Sequence, residues 1–303
     1  MGVGQAVTTL PDFDQLWDYD KPAETEARFR ALLPESVRDV SYRAQLLTQI
    51  ARAQGLQRKF DAAHETLDEA YALLTDDLTR ARIRCLLERG RVHNSSRRPE
   101  LARPLFLEAW ELASTSPGED FYAVDAAHML GIAAPPEQQM EWNLKALALA
   151  EKTGDARARN WLGSLYNNIG WTYHDAGQFA RALEMFEKAL RFREEQGQAP
   201  AIRIAKWCVA RALRSLGRVE EALDMQTAQL RELERIEEKS GFVFEELGEC
   251  LLALNRPAES RPYFAAAHEE LSKDPWLVEN EPARLRRLKD LSTDVTDGTN
   301  RWK

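Results

Sequence analysis

The chain has 303 residues, 44% of them hydrophobic, 30% charged and 9% aromatic, with 15 Gly, 13 Pro and 3 Cys. That is too apolar for a disordered chain and too poor in Gly and Pro for a fibrous one. Lys and Arg number 41 against 49 Asp and Glu, a formal charge of −8, which lacks the basic footprint that nucleic-acid binding needs. Three cysteines cannot staple a secreted scaffold. Met1 to Thr9 has neither the basic nor the apolar region of a signal peptide. Aliphatic runs such as Ala146 to Ala150 fall far short of the roughly 20 residues of a membrane helix. The expectation is a cytoplasmic protein with no nucleic-acid or membrane partner.

In chain order, Asp20 and Pro22 read as an N-cap and first turn for a capping helix to about Leu33, within an N-terminal segment 1–40. From 41 to 275 nearly every stretch shows a 3.6-residue apolar period, and none alternates like a strand. Ile50, Phe60, Ala63, Leu67 and Ala70 form a first helix hairpin; Gly90, Ala102, Phe106 and Ala109 form a second. A third spans Phe121 to Lys152, broken by Pro135-Pro136 and closed by Ala146-Leu147. The fourth, Leu165 to Arg191, is the most complete. There Gly170 and Ala182 admit close helix approach, Gly177 supplies a left-handed turn, and Phe179, Phe186 and Leu190 fill the seam. Leu216-Gly217, Ala222 and Leu230 mark a fifth, and Leu247-Gly248, Leu251, Phe264 and Ala267 a sixth. Pro282 then opens a basic capping helix to about Leu291, with Arg284, Arg286, Arg287 and Lys289 as its polar outer face and Thr293 to Lys303 as a frayed tail, within a C-terminal segment 276–303.

Ile169-Gly170, Tyr173, Gly177, Phe179, Ala182, Phe186 and Ala189-Leu190 resemble the signature of the tetratricopeptide repeat (TPR). The closing residues Ala70, Ala109, Ala146, Ala189, Gln229 and Ala267 are spaced by 39, 37, 43, 40 and 38, against about 34 in the common repeat. The longer period resembles kinesin light chain and bacterial peptide-sensing regulators. The resemblance implies an all-α, right-handed superhelical solenoid of about six hairpins between capping helices.

Catalytic and metal patterns are missing from the sequence. His64, His93, His128, His174 and His268 show no metal-ligand spacing. There is no nucleophile elbow, P-loop or dinucleotide turn. Cys85, Cys208 and Cys250 read as buried small hydrophobes. The expectation is a protein that is not an enzyme and uses no metal or cofactor.

The binding reading rests on the face that the first helix of each hairpin turns inward. The position after each Gly or Ala holds Arg52, Arg91, His128, Trp171, Arg211 and Glu249, and Asn94, His174 and Arg214 follow one turn later. Arg84 precedes Arg91 by seven and shares its face. The resemblance to kinesin-light-chain-like and chaperone-clamp TPRs gives Asn168 the role of holding a ligand's backbone. Gln49, Glu88, Asp125, Cys208 and Glu246 occupy that position elsewhere, and the dicarboxylate clamp set is absent. The candidate groove is therefore Arg52, Arg84, Arg91, Asn94, His128, Asn168, Trp171, Arg211 and Arg214, suited to an acidic or C-terminal segment of a protein partner. Two alternatives stand beside a free arginine groove. Glu88, Asp125, Glu245, Glu246 and Glu249 could neutralise it internally. The acidic, aromatic segment Asp12 to Asp20 could fill it, or pack as an N-terminal cap. Rival functions are a self-association scaffold and a small-peptide-sensing regulator.

Overall fold

A computed structural model describes residues 10–293, which fall into two compact units divided between Leu162 and Gly163. Both are all-α, and six helix hairpins follow one another among the described residues.

The first unit opens with a 3-10 turn, Phe13–Leu16, and helix α1, Pro22–Leu32. Its hairpins are α2 (Val40–Leu56) with α3 (Phe60–Ala72), α4 (Thr79–Ser95) with α5 (Pro99–Thr115), and α6 (Asp120–Ala133) with α7 (Pro136–Lys152). The single turn α8, Ala156–Arg159, follows. In the second unit α9 (Leu162–Asp175) pairs with α10 (Phe179–Gln196), α11 (Ala199–Ser215) with α12 (Val219–Arg235), and α13 (Gly241–Ala253) with α14 (Pro257–Leu271). Short α15 (Pro275–Asn280) leads to the terminal α16 (Pro282–Ser292). The predicted closing residues Ala70, Ala109, Ala146, Ala189, Gln229 and Ala267 are all buried.

Five of the six hairpins turn the same way. Arg58, Arg97, Gly177, Gly217 and Asn255 each adopt a left-handed φ between 56° and 79°, and the next amide donates to a carbonyl five residues back, as from Gln178 to Tyr173. In the third hairpin the chain passes instead through Ala134-Pro135 in extended backbone. Gly90, Gly170 and Gly248 share a second device. A Cβ on each would lie 2.4, 2.4 and 2.8 Å from the ring of Phe106, Phe186 and Phe264, sixteen residues on. These three phenylalanines are fully buried, each worth about 2–3 kcal/mol of apolar burial. Gly170 thus makes room for a ring on the partner helix, whereas the sequence reading gave it a helix-backbone approach.

Both caps differ in detail from expectation. The N-cap of α1 is Lys21, with no side-chain bond. Asp20 is drawn away because its amide donates to Asp18 Oδ1 (3.1 Å), while Thr25 Oγ1 both accepts from and donates to the Asp18 main chain. On α16, Arg284 and Arg287 do not form an outer face. They reach back to Glu245 and Glu249 on α13, leaving Arg286 and Lys289 outward. The expected frayed tail falls on 294–303, outside the described residues, as does the reading of Met1 to Thr9.

Candidate functional site

In the first unit, α2, α4 and α6 present Arg52, Arg84, Arg91 and His128 on one face, as the spacing predicts. The arginines are not free. Arg52 donates to Glu88 (3.1 Å), Arg91 donates to the same oxygen (2.7 Å), and Arg91 also chelates Asp125. Glu88 and Asp125 precede the inward position of their own helices by three residues, so each acid meets an arginine of the preceding repeat. Burial opposes the charge on Arg91, but Asp125 and Glu88 outweigh it and hold its pKa above the ordinary value. Removing one partner of such a set costs about 3–5 kcal/mol, because the others stay buried and uncompensated.

The segment before α1 completes this face. Asp14 takes both terminal nitrogens of Arg84 (2.9 and 2.5 Å), and Tyr122 Oη accepts from the same guanidinium (3.0 Å). Burial again opposes the charge, and the Asp14 bonds raise the Arg84 pKa despite it. The Trp17 indole donates to Gln49 Oε1 (3.0 Å). Trp17 stacks on Tyr19 with ring centroids 4.7 Å apart, and Arg52 lies 5.9 and 5.5 Å from the two centroids. Phe13 meanwhile packs on Phe29 and Tyr42 in the cap core. The segment therefore does both things that the sequence left open: it caps the unit and covers its arginines. A cavity of about 610 Å³ remains beneath Trp17, Tyr19, Arg91 and Trp161. His128 is buried against Trp161, ring centroids 4.6 Å apart, and burial lowers its pKa. Asn94 borders a separate hollow of about 150 Å³ beside Met129.

The second unit is more open. Trp171, Arg211 and Arg214 line one cavity of about 800 Å³, together with Trp207, Glu249 and Arg287. Trp171 and Trp207 lie 5.6 Å apart, and Trp207 lies 5.6 Å from Phe242. Trp171 also packs on Phe186, 5.2 Å away, so it serves the core and the cavity at once. Glu246, fully buried, accepts from Arg214 at 2.5 Å and from Arg211 at 3.3 Å. Burial opposes the charge on Arg214 and Glu246 restores it, raising its pKa. Arg211 is the least committed arginine of the predicted set, with a side chain 31% exposed against 14% for Arg91. The Trp207 Nε1 and Arg211 Nε atoms are buried with no hydrogen-bond partner among the described residues. His174 stands beside Trp171 and bonds Ser215 Oγ through Nε2 (2.9 Å).

Asn168 is half-buried on α9 but does not line this cavity. Its neighbour Asn167 accepts from the Cys208 thiol (3.2 Å). The structure thus brings the predicted residues together in two sets, Arg52, Arg84 and Arg91 in the first unit and Trp171, Arg211 and Arg214 in the second. Asp14, Trp17 and Tyr19 were legible only as an acidic, aromatic run of uncertain destination.

Sequential hairpins with these turns and Gly–Phe pairs define a helical repeat protein. The tetratricopeptide repeat family model matches residues 141–195, and the sequential hairpins are consistent with a tetratricopeptide-repeat solenoid. A search of curated proteins returns no sequence match. Among solved structures the chain is similar to the apo form of RapI, at 14% identity and TM-score 0.71, covering 94% of this chain and 81% of RapI. It is also similar to a signal transduction ATPase with numerous domains (STAND) and a tetratricopeptide repeat sensor from Pyrococcus horikoshii, at 15% identity and TM-score 0.67. That match covers 92% of this chain but only 42% of the STAND protein. TPR-like repeats assigned to a kinesin light chain of Podosopora anserina align at 18% identity and TM-score 0.52, covering 63% of this chain and 96% of theirs. At such identities the likeness concerns the fold.

Proposed function

We propose that the chain is a protein-interaction module that acts by binding, not catalysis, and holds a polypeptide segment on the first-helix face of its second unit. The observation that carries this reading is the 800 Å³ cavity, where two tryptophans stand beside a half-exposed arginine. Rigid aromatic walls with an arginine are the composition of binding hot spots. A side-chain or C-terminal carboxylate of the ligand would take Arg211, and its apolar groups would lie against Trp171 and Trp207. The arginines of the first unit, which the sequence suggested as part of the same groove, serve there to hold repeats and the cap together.

The tetratricopeptide repeats of the STAND protein are described as a sensor, and a sensing role in this chain would use the same cavity. No helix among the described residues is long and apolar enough to cross a membrane. All three cysteines are free, which supports a reducing compartment such as the cytoplasm.

The test is a quantitative pull-down from source-cell lysate with the wild type and a Trp207→Ala, Arg211→Gln variant, after circular dichroism shows equal helicity. A partner held by the wild type and lost by the variant is the expected result. Equal retention of every partner would remove the site from this cavity.

A further inference from the structure

The second unit carries a separate trough of about 840 Å³, lined by the second helices α12 and α14, by Phe244 of α13 and by the α12–α13 turn. Its floor is apolar, formed chiefly by Leu230, Phe244 and Tyr263, all half-buried. Its edges are acidic. Glu234, Glu237 and Glu238 stand on one side and Glu259 on the other, with Lys239 as the lone cation of the lining.

Charge bookkeeping decides what could occupy it. Glu259 is taken by Arg256 at 2.7 Å, Glu238 by Arg203 at 2.9 Å, and Lys239 lies 3.8 Å from Glu270 outside the trough. Glu234 and Glu237 form no ion pair among the described residues. A neutral apolar ligand would strip water from those two carboxylates and return nothing, and an acidic one would be repelled. A ligand that places an apolar side chain on the floor and cations at the rim satisfies both parts.

We propose that this trough is a second docking surface, for a basic polypeptide segment carrying a Leu or Phe side chain flanked by Lys or Arg. It is independent of the aromatic cavity: none of its lining residues is shared with that site. The chain would then hold two segments of opposite charge at two separate sites of one unit, as a bridging module does.

The experiment is fluorescence anisotropy of the labelled peptide Gly-Lys-Lys-Leu-Phe-Lys-Lys-Gly with the full-length chain. The wild type should bind, and the affinity should fall steeply between about 50 and 300 mM salt as exposed pairs are screened. Glu234→Lys with Glu237→Lys should weaken it by about tenfold or more, since like charges then face each other. The neutral Glu234→Gln, Glu237→Gln variant should lie between the two, which guards against misfolding of the reversed form. Trp207→Ala should leave the affinity unchanged, so that a failure here is distinct from a failure at the aromatic cavity. Equal binding by wild type and charge-reversed variant would overturn the proposal, as would equal binding of the peptide with Glu in place of each Lys, or no binding by the wild type. A dimer in sedimentation that the charge reversal dissociates would assign the trough to a second copy of the chain and also overturn it.

Discussion

Gly170→Ala is expected to destabilise the second unit, and the structure fixes both the size and the mechanism. A methyl carbon at that position would stand 2.4 Å from Cε1 and 2.6 Å from Cδ1 of Phe186, where carbon atoms ordinarily come no closer than about 3.5 Å. The ring must move by about 1 Å inside a fully buried seam. Overpacking of this kind costs roughly 1–3 kcal/mol, and the rigid ring between two helices belongs at the upper end. Alanine returns about 1 kcal/mol of helix propensity in a helix interior, so the net loss is about 2 kcal/mol, or about 5 °C in melting temperature. Gly55→Ala supplies the control. There the added carbon meets only Val92 Cγ2 at 3.6 Å, and the same propensity should appear as a gain of about 0.5–1 kcal/mol. Thermal melts followed by circular dichroism measure both, and Gly170→Ala combined with Phe186→Leu should cost less than the sum of the single changes. If Gly170→Ala were as stable as Gly55→Ala, the Gly–Phe seam would not be the packing device described above.

Four further outcomes follow from particular groups. Gln226 sits fully buried on α12 with neither side-chain amide atom bonded among the described residues; Gln226→Leu should raise stability by about 1 kcal/mol in urea unfolding. Arg58 holds a left-handed φ of 61° at its hairpin turn, so Arg58→Gly should stabilise by about 1 kcal/mol in the same assay. Burial pushes the Cys85, Cys208 and Cys250 thiols up to about 12; a thiol reagent should find none reactive in the native chain at neutral pH and all three after denaturation. Burial lowers the pKa of His64, His93, His128 and His174 below the ordinary 6.5. The unfolded chain therefore takes up protons first, and stability present above about pH 6.5 is lost as the pH falls through it. The melting temperature should drop between about pH 7.5 and 5.5, and His64→Gln with His93→Gln should flatten that slope.

The repeat pattern was legible because each hairpin needs the same few residues at the same spacing. Gly170, Phe186 and Ala189 are fixed by steric demands that leave little choice. The status of the arginines was harder to read. Arg91 and Arg211 hold the same register position, yet one is locked between Glu88 and Asp125 while the other shares a single carboxylate. Each has an acid about one repeat further on, Asp125 and Glu246, and the difference is Glu88, three residues before Arg91, where Arg211 has Cys208; only side-chain geometry says which arginine each acid selects. Charge reversal at Arg91 is thus no clean test of binding, because it would place a third carboxylate between two buried ones. Asp14 was harder still. It reaches Arg84 across 70 residues, a distance over which spacing carries no signal, and only the acidic, aromatic character of its segment hinted at an arginine-lined destination.

The measurement that tests the central claim most directly is a titration of the full-length chain with a peptide selected against it from a random library displayed with free C-termini. The selected sequences should carry an acidic side chain or place the C-terminal carboxylate beside an apolar residue. Arg211→Gln and Trp207→Ala should each weaken the best peptide by at least about tenfold, with the melting temperature preserved. A selected peptide whose affinity is unmoved by both substitutions would contradict the account, since its site would then lie outside the Trp171–Trp207–Arg211 cavity.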